Sequence, residues 1–205
     1  DIALVEQYKL SGVAISTVAS QMVIMIFGFL ALRSKKRAKI NKSYILPILV
    51  GTTSPFGINF VPSVVLLITN YLALQAGGTA AVSAYAVMSY AVYTFDYIFQ
   101  GVCDGVQPVI SYCNGNGDNK TKIWVLKSSA VILMLFSGLF ILITPILILF
   151  MPTLFAISNE AEKMMRMGLV IYAASYPFKA IAKFSCSYYY ACGRTRISNL
   201  LIYIE

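Results

Sequence analysis

Residues 124–151 read WVLKSSAVILMLFSGLFILITPILILFM, with Lys127 as the single charged side chain among them. A helix needs about 20 predominantly apolar residues to cross a hydrocarbon core roughly 30 Å thick, and this stretch is long enough. Lipid offers backbone N–H and C=O groups no partner, so the segment must satisfy them internally as an α-helix.

The rest of the chain repeats the pattern. Apolar stretches run from Ser11 to Leu32, Leu49 to Ala76, Ala80 to Gln107 and Met164 to Ala191, and a further one begins near Ser198. Of 205 residues, 59% are hydrophobic and 12% charged, and the mean hydropathy is +0.75. A water-soluble domain is far less apolar than this. The sequence therefore predicts an all-α, polytopic transmembrane bundle of five to six spans. Proline lies in or beside the spans at Pro55, Pro62, Pro108, Pro145, Pro152 and Pro177, which predicts bent helices whose freed carbonyls find other donors.

The net charge of +8 would suit nucleic acid if it covered one soluble face. Instead the basic residues sit between the spans: Arg33, Lys35, Lys36, Arg37, Lys39 and Lys42, then Lys120, Lys122 and Lys127, then Arg194 and Arg196. These three connections fall on one side, which the excess of Lys and Arg marks as cytoplasmic. The short Gly77-Gly78 turn and the Glu160/Glu162 loop fall on the other, where Lys163 and Arg166 are a minority. Nucleic acid is accordingly no partner, whereas the bilayer is. Four cysteines without metal-like spacing and no histidine give no metal site, and no cofactor is called for. Asp1 and Glu6 stand where a signal peptide carries its basic residues. The chain starts without Met and stops inside an apolar run, which reads as a fragment.

Two spans carry polar stripes. At about 100° per residue, Ser89, Tyr90, Tyr93, Asp96, Tyr97, Gln100, Asp104 and Gln107 share one side of the third span. Tyr172, Tyr176, Lys179, Lys183, Ser187 and Tyr190 share one side of the fifth. A carboxylate facing acyl chains costs several kcal/mol, so both stripes are expected to face an interior space. Asp96 and Lys179 lie at similar depth and are expected to meet, with Lys183 left for Asp104 or water. Two readings of that pair stay open: a device that fixes helix packing, or part of a solute path. Tyrosines with a few ionisable groups suit a small organic, amphipathic or cationic solute, and Asp96 is the carboxylate whose occupancy by H+ or Na+ could couple such a path to a gradient.

Gly101, Gly105, Gln107, Pro108, Val109, Ile110, Ser111, Tyr112, Asn114 and Gly115 form a G-x-x-x-G-x-Q-P run ending in a Gly/Asn turn, with Cys113 adding one position. This stretch resembles the end of the eighth span in the multidrug and toxic compound extrusion (MATE) family of efflux antiporters. Ser54-Pro55-Phe56 with Asn59 and Ser63, Gly77-Gly78, Tyr176-Pro177-Phe178 and Tyr189 to Arg194 extend the likeness over nearly the whole chain. The resemblance implies that 1–32 is the last span of an N-terminal lobe, 33–48 a basic cytoplasmic linker, and 49–205 most of a C-terminal lobe. It implies a multi-pass protein of the plasma membrane, not an enzyme and without catalytic residues, that exports small organic compounds together with N-terminal helices missing here. It also carries over Asn59, Asp104 and Gln107 as polar positions of the cavity or its packing. Lys179 and Lys183 depart from the family, some members of which place an acid in that span.

Other classes fit less well. A lipid-linked oligosaccharide flippase needs a strongly basic groove, an enzyme acting on lipids needs clustered acids, histidines or a metal, and a non-transporting scaffold would pair its polar groups and leave no cavity.

Overall fold

The computed structural model describes residues 2–31 and 42–204. Of the stretch 33–48 expected to be the basic cytoplasmic linker, 33–41 lies outside the described residues, and 42–48 is helical. The chain divides into two compact units, Asp1–Tyr44 and Ile45–Glu205.

The first unit holds α1 (Ile2–Ala31), with an apolar stretch at Ala14–Leu30. The second holds α2 (Ile45–Asn116), α3 (Asn119–Phe155), α4 (Asn159–Ala191) and α5 (Thr195–Ile204), and the 3-10 turn at Lys42–Tyr44 belongs to the first. No strand occurs among the described residues. α2, α3 and α4 extend beyond the apolar stretches expected in them, and a membrane helix can continue past the hydrocarbon into the headgroup region. Among the described residues two helical segments are long and apolar enough to cross a membrane: Lys42–Asn116, at mean hydropathy 1.6, and Asn119–Phe155, at 2.8. The 33 residues of α4 are long enough, but its lysines keep it below that level of apolarity.

α2 is two helices joined at a sharp break. Gly77 (φ −147°, ψ 19°) and Gly78 (φ 60°, ψ −151°) leave helical geometry, and the Gly78 conformation is open essentially to glycine alone. The expected turn is thus a hairpin between a first arm (45–76) and a second arm (79–116). Polar side chains bond backbone carbonyls around the prolines of the first arm: Thr52 and Thr53 hydroxyls donate to Leu49 and Val50, and the Asn59 amide donates to Pro55 at 2.9 Å.

Packing separates the faces of α3. Ser129, Leu133, Ser137, Phe140, Thr144 and Met151, at helical spacing, are buried, and the hydroxyls of Ser129, Ser137 and Thr144 donate to carbonyls four residues earlier. Small, self-satisfied residues let helices approach without orphaned polar groups. On the outer side Leu142 and Leu154 are 74% and 78% exposed. A continuous apolar outer face is stable against acyl chains and not against water.

The inner core joins the second arm, α3 and α4. Phe95 and Phe140 stack at 4.1 Å, Tyr176 meets Phe95 edge-on at 5.5 Å, and Phe99 lies 5.2 Å from Phe140. Toward the Gly77-Gly78 hairpin a second cluster gathers Ala84, Val87, Ala91, Met151, Ala161, Met165 and Leu169. Gly168 is pressed so closely by the Met88 thioether that a Cβ there would collide.

Glycine ends two helices in the same way. Gly117 (φ 71°) follows α2 and Gly193 (φ 74°) follows α4. Asp118 N–H bonds Cys113 O at 3.0 Å, and Arg194 N–H bonds Tyr189 O at 2.9 Å while Gly193 N–H bonds Tyr190 O. These are left-handed glycine stops that consume the last helical carbonyls.

Candidate functional site

Four segments of the second unit enclose a cavity of about 220 Å³. The first arm supplies an apolar wall of Gly57, Ile58, Val61, Pro62 and Val65. Opposite it the second arm contributes Tyr85, Ser89, Val92, Tyr93, Asp96 and Gln100, and α4 contributes Tyr172, Lys179, Lys183 and Cys186. Ile202 of α5 lines the remaining side.

Local structure explains the wall. Positions 85, 89, 93, 96 and 100 recur every three or four residues and so share one helical face. α5 reaches the first arm because Gly57 has no side chain there: a Cβ would stand 2.9 Å from Ile202 and 3.0 Å from the Tyr203 ring. The junction is held by Ser54 Oγ donating to Asn199 Oδ1 at 2.5 Å, Asn199 Nδ2 to Thr53 Oγ1 at 2.8 Å, and Ser198 Oγ to Cys186 O at 3.0 Å.

The charged feature of the wall is the ion pair expected from the sequence. Lys179 Nζ lies 3.0 Å from Asp96 Oδ2, with side-chain exposures of 24% and 15%. The same ammonium sits 5.5 Å from the Tyr172 ring centroid, a favourable cation–π position. The second carboxylate oxygen, Asp96 Oδ1, is buried with no hydrogen-bond donor among the described residues. A buried acceptor without a donor is uncommon and leaves this oxygen able to accept from a water, an ion or a solute.

The other candidate residues divide by location. Tyr93, Asp96, Gln100, Lys179 and Lys183 line the cavity. Tyr90 and Tyr97 are 63% and 73% exposed on the outside of the second arm, with the Tyr90 ring stacked on Phe155. Asp104 is exposed and accepts from Gln100 Nε2 at 2.8 Å. Lys183 has no carboxylate at ion-pair distance among the described residues, so the amide of Gln100 occupies the carboxylate expected for it. Gln107 is half-buried and Asn59 is exposed, and neither lines the cavity. Tyr176 is fully buried in the aromatic core, away from the cavity wall, and its hydroxyl has no partner among the described residues. The stripe on the second arm is broad enough that its two edges leave the cavity: about 100° of arc covers a wall and both its shoulders.

Tyr85 and Cys186 belong to the wall and were missing from the sequence reading. Tyr85 precedes Ser89 by one turn, so extending the stripe upstream would have found it. Cys186 has no polar signature to separate it from the packing face of α4.

The comparisons with curated proteins and with solved structures found no match. A family model described as MatE matches residues 56–204, an interval that contains every residue lining the cavity. With most of its length covered by that match, and with an apolar outer face around an all-helical bundle, the chain belongs to the MatE family, whose members are membrane transporters.

Proposed function

We propose that the chain is part of a cation-coupled antiporter, driven by H+ or Na+, that exports small organic compounds of cationic or amphipathic character from the cell. The observation that carries this reading is the Asp96–Lys179 pair on the wall of a tyrosine-lined cavity, with one carboxylate oxygen left without a donor. The tyrosine faces of Tyr85, Tyr93 and Tyr172 supply stacking surface for an aromatic or cationic solute. Asp96 holds Lys179 when charged. Its occupancy by H+ or Na+ frees the ammonium to leave the wall, so the cavity's charge depends on the coupling ion.

Supporting residues have separate tasks in this scheme. Gln100 steadies Asp104, and Lys183 adds a second cation beside the pair. The exposed row of Tyr90, Tyr97 and Asp104 is where further helices of a complete transporter would meet this lobe, with Asn59 and Gln107 as packing positions. The protein resides in the plasma membrane, with the basic segment 33–42 on the cytoplasmic side, as the distribution of Lys and Arg favours.

The test is cationic dye movement into and out of proteoliposomes holding the full-length transporter, under imposed proton or sodium gradients. Gradient-dependent dye movement that Asp96→Asn abolishes supports the reading. Movement indifferent to both gradients removes antiport, and full gradient dependence in Asp96→Asn removes Asp96 from the coupling.

A further inference from the structure

A second hollow of about 290 Å³ lies where α2 ends, α3 begins and α4 turns into α5, lined by Asn114, Lys122, Tyr188, Tyr189, Cys192 and Arg194. Its character is opposite to that of the first cavity. Two cations, two phenols and an amide converge, and no carboxylate lines it. Among the described residues neither Lys122 nor Arg194 has an acid at ion-pair distance. The nearest acid in sequence, Asp118, is engaged in capping α3, where it accepts from Thr121 N–H at 3.1 Å.

The fold places the Lys122 ammonium and the Arg194 backbone at this hollow. Lys122 Nζ donates to Asn114 Oδ1 at 3.2 Å. The backbone of Arg194 is fixed from both sides, so its guanidinium starts from a set point: its N–H closes the glycine stop of α4, and its carbonyl accepts from Ile197 and Ser198 at the start of α5. Ser111 Oγ donates to Ala191 O at 3.0 Å and ties the two walls together. A fixed ammonium, a guanidinium fork and phenolic donors match the oxygens of a phosphate group.

Tyr112, Ile123 and Trp124 are exposed at the same end of the bundle. Exposed Trp and Tyr at the end of membrane helices mark the headgroup level, and Ile123 with Trp124 gives acyl chains an apolar path beside Lys122. We propose that this hollow binds the phosphate of an anionic phospholipid, with Lys122 and Arg194 as its cationic ligands and the two tyrosine hydroxyls as donors. The bound lipid bridges the turn between α2 and α3 to the turn between α4 and α5.

The test is native mass spectrometry of the full-length transporter given equal phosphatidylglycerol and phosphatidylcholine. The wild type is expected to retain phosphatidylglycerol preferentially. Lys122→Gln and Arg194→Gln should each lower that retention about five-fold, and the double variant about thirty-fold. Lys120→Gln with Lys127→Gln, outside the lining, should leave retention unchanged. The pair Lys122→Arg and Arg194→Lys keeps both charges and should keep most of the lipid. Equal retention of the two lipids by the wild type overturns the proposal. So does an equal loss in the Lys120/Lys127 variant, which would assign the effect to diffuse surface charge. In a parallel arm, inorganic phosphate that displaces phosphatidylglycerol at equal concentration assigns the hollow to free phosphate and overturns the lipid assignment.

Discussion

Replacing Lys179 by Met removes the 3.0 Å bond to Asp96 and the contact with Tyr172. It leaves a carboxylate with both oxygens lacking donors, since Oδ1 has none to begin with. A hydrogen bond between charged groups contributes about 1.5–3 kcal/mol. Orphaning a fully buried charge costs about 3–5 kcal/mol. Both side chains keep 15–24% exposure on an open cavity, which lets solvent screen the orphan, so about 2 kcal/mol is the expected loss. For a domain of about 150–250 residues that is a fall of roughly 4–8 °C in apparent melting temperature, and proportionately less in the larger full-length transporter. Asp96→Asn keeps an acceptor for Lys179 and should lose less, about 1 kcal/mol. The double variant removes both charges, so its loss should be smaller than the sum of the singles by about 1–2 kcal/mol. The assay is a four-point cycle of melting temperatures on the purified full-length transporter in detergent. Losses that add within about 0.5 kcal/mol would refute the claim that the two side chains stabilise one another. Coupled stability together with undiminished gradient-driven transport in Asp96→Asn would make the pair a packing device alone.

Three other outcomes follow from the geometry. Phe140→Ala opens the aromatic core at the ring that contacts Phe95, Phe99, Phe136 and Tyr176. The loss should be about 2–4 kcal/mol, below the upper end for soluble cores because lipid is itself apolar, and melting in detergent reads it. Gly193→Ala places a side chain at φ 74° and should cost about 1 kcal/mol, seen as a fall of about 2–4 °C; an unchanged melting temperature would remove the glycine stop as a constraint. The hydrogen bonds from Thr121 hold the Asp118 carboxyl below its ordinary range. A lowered folded value means its stabilising effect is complete above the ordinary carboxylate value of about 3.9 and fades as pH falls through the lowered one. Asp118→Asn keeps the cap without a charge to lose, so its melting temperature should decline less than that of the wild type between neutral pH and pH 3.

The fold was legible because lipid imposes a simple rule. The stretch 124–151 has a single charge and is long and apolar enough for a spanning helix, and α3 contains it whole. Gly77-Gly78 was readable as a turn because no other residue tolerates the Gly78 backbone. The Asp96–Lys179 pair was readable because two opposite charges at one depth have few alternatives to meeting. Periodicity was less informative about Tyr90, Tyr97 and Tyr176. A stripe gives the direction of a polar face but not how far the neighbouring helix covers it, and tyrosine serves equally in a core, on a cavity wall or at an exposed edge. The role of α5 was illegible, since Gly57 becomes a docking point only through Ile202 and Tyr203, distant in sequence.

The separation of Asp96 from Lys179 along the chain, 83 positions, also has a bearing on biosynthesis. At about 5–20 residues per second, the acid leaves the ribosome roughly 4–17 s before the base that will accompany it. During that interval Asp96 is without the Lys179 ammonium that it meets in the folded chain. A carboxylate facing acyl chains costs several kcal/mol, so water or the insertion channel is the favourable surrounding for that face until α4 follows. Ribosome pausing between these two codons would lengthen that interval.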